Sequence, residues 1–314
     1  MERPCVFDAH CDTISRCWRE YEDLDRNSGA VDLERTERSF SHYAQIFALW
    51  SAPGYTGGNT EEEAYHALLR CFQRQIERSQ DRICLCRTGA DIRRAWALGK
   101  AAALLSVEGA GLLGCDPNRL EQVARDGVRV ITLTWNHANA LSGSHSDHPE
   151  RGLSGQGRRF VRRMEELNIL VDVSHLSEAG FWDVMALARH PVLATHSNAK
   201  SVWNHTRNLT DGQITAIIKV QGTVGLNLCA SFVGEPPTLD ALIAHVEHIW
   251  ALGGADSLAV GGDWDGCDLA AGLTGVDGLA ALYEELLRRN HSETLVRALF
   301  FENLMRVVSE VCTM

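Results

Sequence analysis

No apolar run in this chain approaches the roughly 18 residues needed to span a bilayer, so no membrane-crossing helix is expected. The first residues, MERPCVFDAH, hold one arginine and no apolar h-region, so they do not read as a secretory leader. No lipid-anchor signal is found either, and the expectation is a cytoplasmic protein without membrane attachment. Lysine is scarce (Lys100, Lys200 and Lys219), and 30 basic residues face 41 acidic ones, for a net charge of −11. Such a chain repels phosphate backbones, so nucleic acid is not an expected partner. A cysteine framework is also missing. The ten cysteines are scattered, and the closest pair, Cys84-x-Cys86, has neither zinc-site nor redox spacing. They read as reduced thiols, mostly buried. There is no Pro/Ser linker, internal repeat or low-complexity segment. With 45% hydrophobic and 23% charged residues, 1–314 reads as a single globular domain.

What is present is alternation. Short apolar, β-rich runs occur at 5–10, 44–50, 101–108, 128–135, 168–175, 191–196, 223–229 and 257–263, eight in all. Between them the period becomes helical. Tyr65, Leu68, Leu69, Phe72 and Ile76 share one helix face behind the capping box Thr60-x-x-Glu63. Asp116-Pro117 opens another helix, which Gly127 closes. Further helices are expected around Phe160–Leu167, after Thr210, over Leu239–Trp250, and at 277–289 and 293–311. Apolar strands alternating with helices predict a covered parallel sheet, and eight such units fit a (β/α)8 TIM barrel. A doubly wound open sheet is the competing architecture. The stretch 136–157, rich in Gly, Ser and His, is the longest connection and a candidate lid.

Ionisable residues sit where these strands end: His10-x-Asp12, Glu108, His175, His196 and Asp263. In a parallel barrel all such ends converge on one face, where active sites are built. Side chains alternate along a strand, so His10 and Asp12 are expected to share a face with Asp8. By the same parity, Ala259 and Gly261 leave room below Asp263. Carboxylates and imidazoles gathered together repel one another, or go unsatisfied, unless a cation neutralises them. Nitrogen and oxygen donors of this kind suit zinc.

The segments DAHCD, SVEG, VDVSH, PVLATHS, RNLTD and GGDWDG occur in the order and at roughly the spacings of the membrane dipeptidase family, which this chain resembles over nearly its whole length. The resemblance implies a (β/α)8 barrel that holds two Zn²⁺ ions and hydrolyses dipeptides, including those with a C-terminal D-residue. It implies that His10 and Asp12 bind one zinc, that Glu108 bridges both, and that His175 and His196 bind the other. It places Arg207 on the substrate carboxylate and makes Asp263 the proton carrier for a metal-activated water. It also allows a homodimer. One departure stands out: mammalian members carry a substrate-contacting His directly after LT in the fourth strand, where this chain has Trp135. His137, two residues on, is the expected substitute. Trp135 and His137 are therefore candidate substrate contacts, and Trp50, Trp135 and Trp264 are candidate cleft walls.

Gly109-x-Gly111-x-x-Gly114 imitates a dinucleotide fingerprint, but the acidic residue required about 20 positions on is missing. Two other readings stay open. One is a different barrel hydrolase, such as a deaminase or lactonase, although those commonly begin His-x-His. The other is a barrel that binds ligands without turnover, for which the loss of a metal ligand would be the sign.

Overall fold

The computed structural model describes residues 3–313 apart from positions 53 and 271. Nine parallel strands are formed among these residues. They are β1 (Cys5–Cys11), β2 (His42–Trp50), β3 (Ile83–Leu85), β4 (Ala101–Glu108), β5 (Val128–Thr132), β6 (Leu170–Asp172), β7 (Leu193–Ala194), β8 (Thr223–Leu226) and β9 (Leu258–Val260). Their order is β2-β1-β9-β8-β7-β6-β5-β4-β3, and β2 also pairs with β4. That pairing closes an eight-stranded ring, a (β/α)8 barrel, and leaves β3 outside it. β3 follows the first half of β4 (Ile83 beside Ala101), while β5 follows the second half (Val128 beside Leu105). A three-residue run such as Ile83–Leu85 is too short to stand out as a strand in the sequence.

The helices expected behind Thr60 and Thr210 begin where those caps sit, and Asp116 caps a 3-10 turn, Pro117–Arg119, that leads into the helix Leu120–Asp126. Thr60 and Glu63 make a reciprocal capping box for Glu61–Arg78, and Thr210 and Gln213 make another for Asp211–Lys219. Two orphan backbone N–H groups are satisfied at each start. The expected helix 293–311 is interrupted. It runs as Glu293–Arg297, a π-helical segment Ala298–Glu302, and Asn303–Val311.

Alternation along the strands sorts the apolar residues into two layers. Phe7, Ala9, Ile46, Ala102, Leu104, Val130, Leu170, Leu193 and Ala259 fill the barrel, joined by Leu304, Val307, Val308 and Val311 of the last helix. Asn303 of that helix donates to the carbonyls of Ala255 and Leu258, so the helix plugs the N-terminal end of the ring. The larger cluster lies between the sheet and the surrounding helices. Each large apolar side chain buried this way contributes about 1.5–3 kcal/mol. The ring is therefore rigid and dry at one end, and its polar strand ends open at the other.

Gly225 and Gly261 are not mere spacers. A Cβ on either would lie 1.9 Å from the carbonyl oxygen of Thr195. Strands β7, β8 and β9 approach too closely there for any side chain, so Gly261 makes a backbone contact rather than leaving room beneath Asp263.

Candidate active site

Five strand-end side chains meet around Glu108. One carboxylate oxygen, Oε2, lies 3.5 Å from His10 Nε2. The other, Oε1, lies 3.0 Å from His175 Nε2 and 3.4 Å from His196 Nε2. His10 Nε2 is also 3.8 Å from Asp12 Oδ2. Ligating atoms of His10, Asp12 and Asp263 lie within 4.8 Å of one another, as do those of His10, Glu108 and His196. Glu108 thus stands between two sets of donors, with one oxygen for each.

Local irregularities produce this convergence. Asp8 pairs with Gln45 but Cys11 pairs with Phe47, so three steps along β1 match two along β2. The extra residue is a β-bulge, which breaks the parity expected between Asp8 and His10. Asp8 instead accepts from the backbone N–H groups of His10 and Gly262 and from Trp264 Nε1. It ties β1 to the segment carrying Asp263. Parity also fails for His175 and Asp263, which lie three residues beyond β6 and β9. Both adopt left-handed backbone conformations, φ 64° and 56°. Such conformations are costly for these residues and cluster at functional sites.

The imidazoles have defined tautomers. Asp172 accepts from the hydroxyl of Thr195, so that hydroxyl accepts from His196 Nδ1–H at 2.8 Å. His175 Nδ1 lies 2.8 Å from Asn136 Oδ1, an acceptor, and must carry the proton. Both Nε2 lone pairs therefore point inward, and the two atoms are 3.0 Å apart. Facing lone pairs repel unless a cation lies between them. Among the described residues, His10 Nε2 and Asp12 Oδ1 are buried with no hydrogen-bond partner. Burial pushes Glu108 up to about 7 against the lowering effect of His10. Burial lowers His175 and His196 well below the usual imidazole range, helped by Arg207 and His10. Burial lowers His10 too, yet Glu108 and Asp12 outweigh it and hold that group well above its ordinary value. Burial raises Asp263, with His10 opposing and Asp12 adding. The inward lone pairs of His175 and His196, and carboxylates that draw a positive charge onto His10, fit a divalent metal, and the nitrogen and oxygen donors fit zinc.

Arg207 is buried beside this cluster. Its Nη2 donates to the His196 carbonyl at 2.9 Å and Nη1 to Ser197 Oγ at 3.3 Å, while Nε has no hydrogen-bond partner among the described residues. With His145, His175 and Ser197 it lines a cavity at the mouth of the barrel. Trp135 lies on the other side, its ring 6.4 Å from that of His175 and 5.1 Å from Trp50. His137 is exposed and stands 5.7 Å from Trp135, in a neighbouring cleft lined by Gly109 and Cys115. The structure does not bring it to His175. Trp264 is fully buried on Asp8 and lines no cleft.

Two residues that sequence reasoning missed stand behind His175. His145 Nε2 lies 2.9 Å from Asn136 Oδ1, and its Nδ1 lies 2.9 Å from Thr206 Oγ1. Burial, aided by Arg207 and His205, lowers His145 to about 3, so it is neutral and can donate to Asn136 while accepting from Thr206. No spacing rule singles out an Asn and a His nine residues apart in a loop. That loop is no free lid. Ser144 bridges to Leu176, His145 N–H donates to the His175 carbonyl, and Ser154 N–H to the Leu141 carbonyl.

The chain is similar to known proteins over its whole length. A family model described as membrane dipeptidase (peptidase family M19) matches residues 1–314. The dipeptidase verJ of Clonostachys rogersoniana is 34% identical over 244 residues, 75% of this chain and 62% of that protein. A metallo peptidase from Rhodobacter sphaeroides, whose crystal structure holds a phosphinate mimic of the dipeptide L-Ala-D-Ala, superposes with a TM-score of 0.90 at 28% identity. That match covers 99% of this chain and 100% of the other. The dipeptidase AC, a metallo peptidase of family M19, gives 0.89 at 29% identity, with both chains fully covered.

Proposed function

The chain belongs to the membrane dipeptidase family, peptidase family M19, and is a metal-dependent dipeptidase; we propose that the Glu108 cluster is its hydrolytic centre and takes two zinc ions. In this reading His10 and Asp12 would hold one ion, His175 and His196 the other, and Glu108 would offer an oxygen to each. The observation that carries it is the division of the Glu108 oxygens, Oε2 toward His10 and Oε1 toward the facing imidazoles. A zinc pair bound there would supply a water of lowered pKa and a Lewis acid for the scissile carbonyl.

The chain's own groups do the rest. Asp263 accepts the proton of the attacking water and returns it to the leaving amine. Asn227 holds it by donating to Oδ2 at 3.0 Å. Arg207, desolvated and with Nε free, pairs with the substrate α-carboxylate. An anchor for a free carboxylate so near the centre limits substrates to dipeptides. Trp135, near His175 and also lining the neighbouring cleft of His137, forms one wall, and His137 would meet only the part of a substrate that extends into that cleft. Acceptance of a C-terminal D-residue is supported by the L-Ala-D-Ala mimic bound to the Rhodobacter sphaeroides relative. A panel that includes L-Xaa-D-Xaa dipeptides tests it. The ten free cysteines fit a reducing, cytoplasmic setting.

Arg207→Lys keeps the charge and loses the planar fork. Its kcat/KM for dipeptides is expected to fall about tenfold or more. Dipeptide amides will be poor substrates of the parent enzyme; equal cleavage of amides and acids would remove Arg207 from the carboxylate.

Asn136→Ala takes away the acceptor that fixes the His175 tautomer. Partners of this kind typically contribute about 10–100-fold in metal affinity. The variant should bind its weaker zinc that much less tightly in a competition with a chelating dye, and excess zinc should restore kcat. Unchanged affinity would make Asn136 only a loop anchor.

A further inference from the structure

A second cluster of metal-binding groups shares Asp263 with the first. The sulfurs of Cys229 and Cys267 and a carboxylate oxygen of Asp263 are mutually within 4.8 Å. Cys229 is buried and Cys267 half-buried, so the pair can be reached from solvent through Cys267. The two cysteines come from different loops, one after β8 and one after β9. Those loops are pinned together, with Ala230 N–H donating to the Asp268 carbonyl and Ala270 N–H to the Leu228 carbonyl, both at 2.8 Å. Cys267 Sγ also lies 3.5 Å from the Asp263 carbonyl oxygen.

We propose that Cys229, Cys267 and Asp263 form a separate, thiophilic cation site whose filling inhibits the enzyme. Two thiolates and one carboxylate make a softer donor set than the imidazoles and carboxylates around Glu108, and soft donors select zinc or cadmium. Zinc–sulfur bonds of about 2.3 Å at a tetrahedral angle place two sulfurs about 3.8 Å apart. A disulfide requires about 2.05 Å. Cys229 and Cys267 are both free thiols within 4.8 Å, a range that includes the first spacing, and unbonded sulfurs do not reach the second. Binding releases the thiol protons and engages Asp263. A carboxylate held by that cation no longer takes a proton from the attacking water. This consequence rests on the proposed role of Asp263, but the cation site itself does not.

Cadmium titrated into the zinc-loaded enzyme tests the proposal. One cadmium should bind per chain while both zinc ions are retained, with a thiolate-to-cadmium charge-transfer band in the ultraviolet. Dipeptide kcat should fall about tenfold or more as the band grows. The Cys229→Ser/Cys267→Ser variant should keep parental kcat without cadmium, lack both the band and the extra equivalent, and resist inhibition. Equal cadmium uptake and an equal band in parent and variant would overturn the site. So would a parent chain isolated two hydrogens lighter, with these cysteines joined as a disulfide. A band that vanishes in the variant but never affects kcat would leave the cation site standing and overturn both the inhibition and the proton-carrying role of Asp263.

Discussion

Dialysis against a strong chelator will abolish dipeptide hydrolysis and lower the melting temperature, and added zinc will restore both. The cause lies in the groups left facing one another. The Nε2 atoms of His175 and His196, lone pairs inward, stand 3.0 Å apart, and among the described residues His10 Nε2 and Asp12 Oδ1 are buried without hydrogen-bond partners. Each buried polar atom left unsatisfied costs about 1–3 kcal/mol. An ion that binds only the folded chain stabilises it by about 4 kcal/mol at a free concentration of 1,000 Kd. The effect on rate is larger, because bound metal would supply both a water of lowered pKa and a Lewis acid. Those terms amount to several kcal/mol of barrier, about three decades or more. Elemental analysis of protein purified without chelator should find about two zinc equivalents. Metal-free protein with undiminished hydrolysis would sink the reading of the Glu108 cluster. Two equivalents with no turnover on any dipeptide would leave the barrel as a binding protein.

Much of this was legible in the sequence because it depends on local periodicity. Eight apolar runs gave eight barrel strands, and capping boxes such as Thr60/Glu63 marked helix starts to the residue. Strand-end positions of His10, Glu108, His175, His196 and Asp263 followed from the same runs, and the closed ring brings these residues together. What escaped depends on departures from periodicity or on distant partners. The bulge after Asp8 is one: a single extra residue turns His10 away from the face that Asp8 uses, and no residue type marks it. The left-handed backbone at His175 and Asp263 is another, since alternation has no meaning beyond a strand that stops at Asp172 or Val260. Asn136, His145 and Thr206 are separated by 9 and 61 residues and meet only in space. Asp265 shows the same limit. Sequence parity sets it beside Asp263, but it accepts from Thr13 Oγ1 at 2.6 Å and from Ala30 N–H at 2.7 Å, as an anchor for the first helix.

Asp263→Asn is expected to lower kcat by at least about two decades while both metals stay bound and the fold is kept. General acid–base catalysis is typically worth 10² to 10⁴ in rate, and this carboxylate is the group in place to provide it. Asn227 already occupies Oδ2. Oδ1 faces the side of Asp12, since a methyl on Gly266 would lie 2.7 Å from Asp263 Oδ1 and 2.3 Å from Asp12 Oδ2. The glycine lets these two carboxylates share that space. Asparagine preserves the shape and the bond from Asn227, because its carbonyl oxygen can turn to accept that donor. Its amide then takes the place of Oδ1, where it can neither accept nor return a proton. The melting temperature should change little, since the backbone N–H of residue 263 still donates to the His10 carbonyl. Elemental analysis and kcat read together decide the role. Loss of one zinc along with activity would make Asp263 a metal ligand first. Near-parental kcat with two metals would remove it from proton transfer, and Asp265, held by Thr13 and Ala30, is in no position to take over.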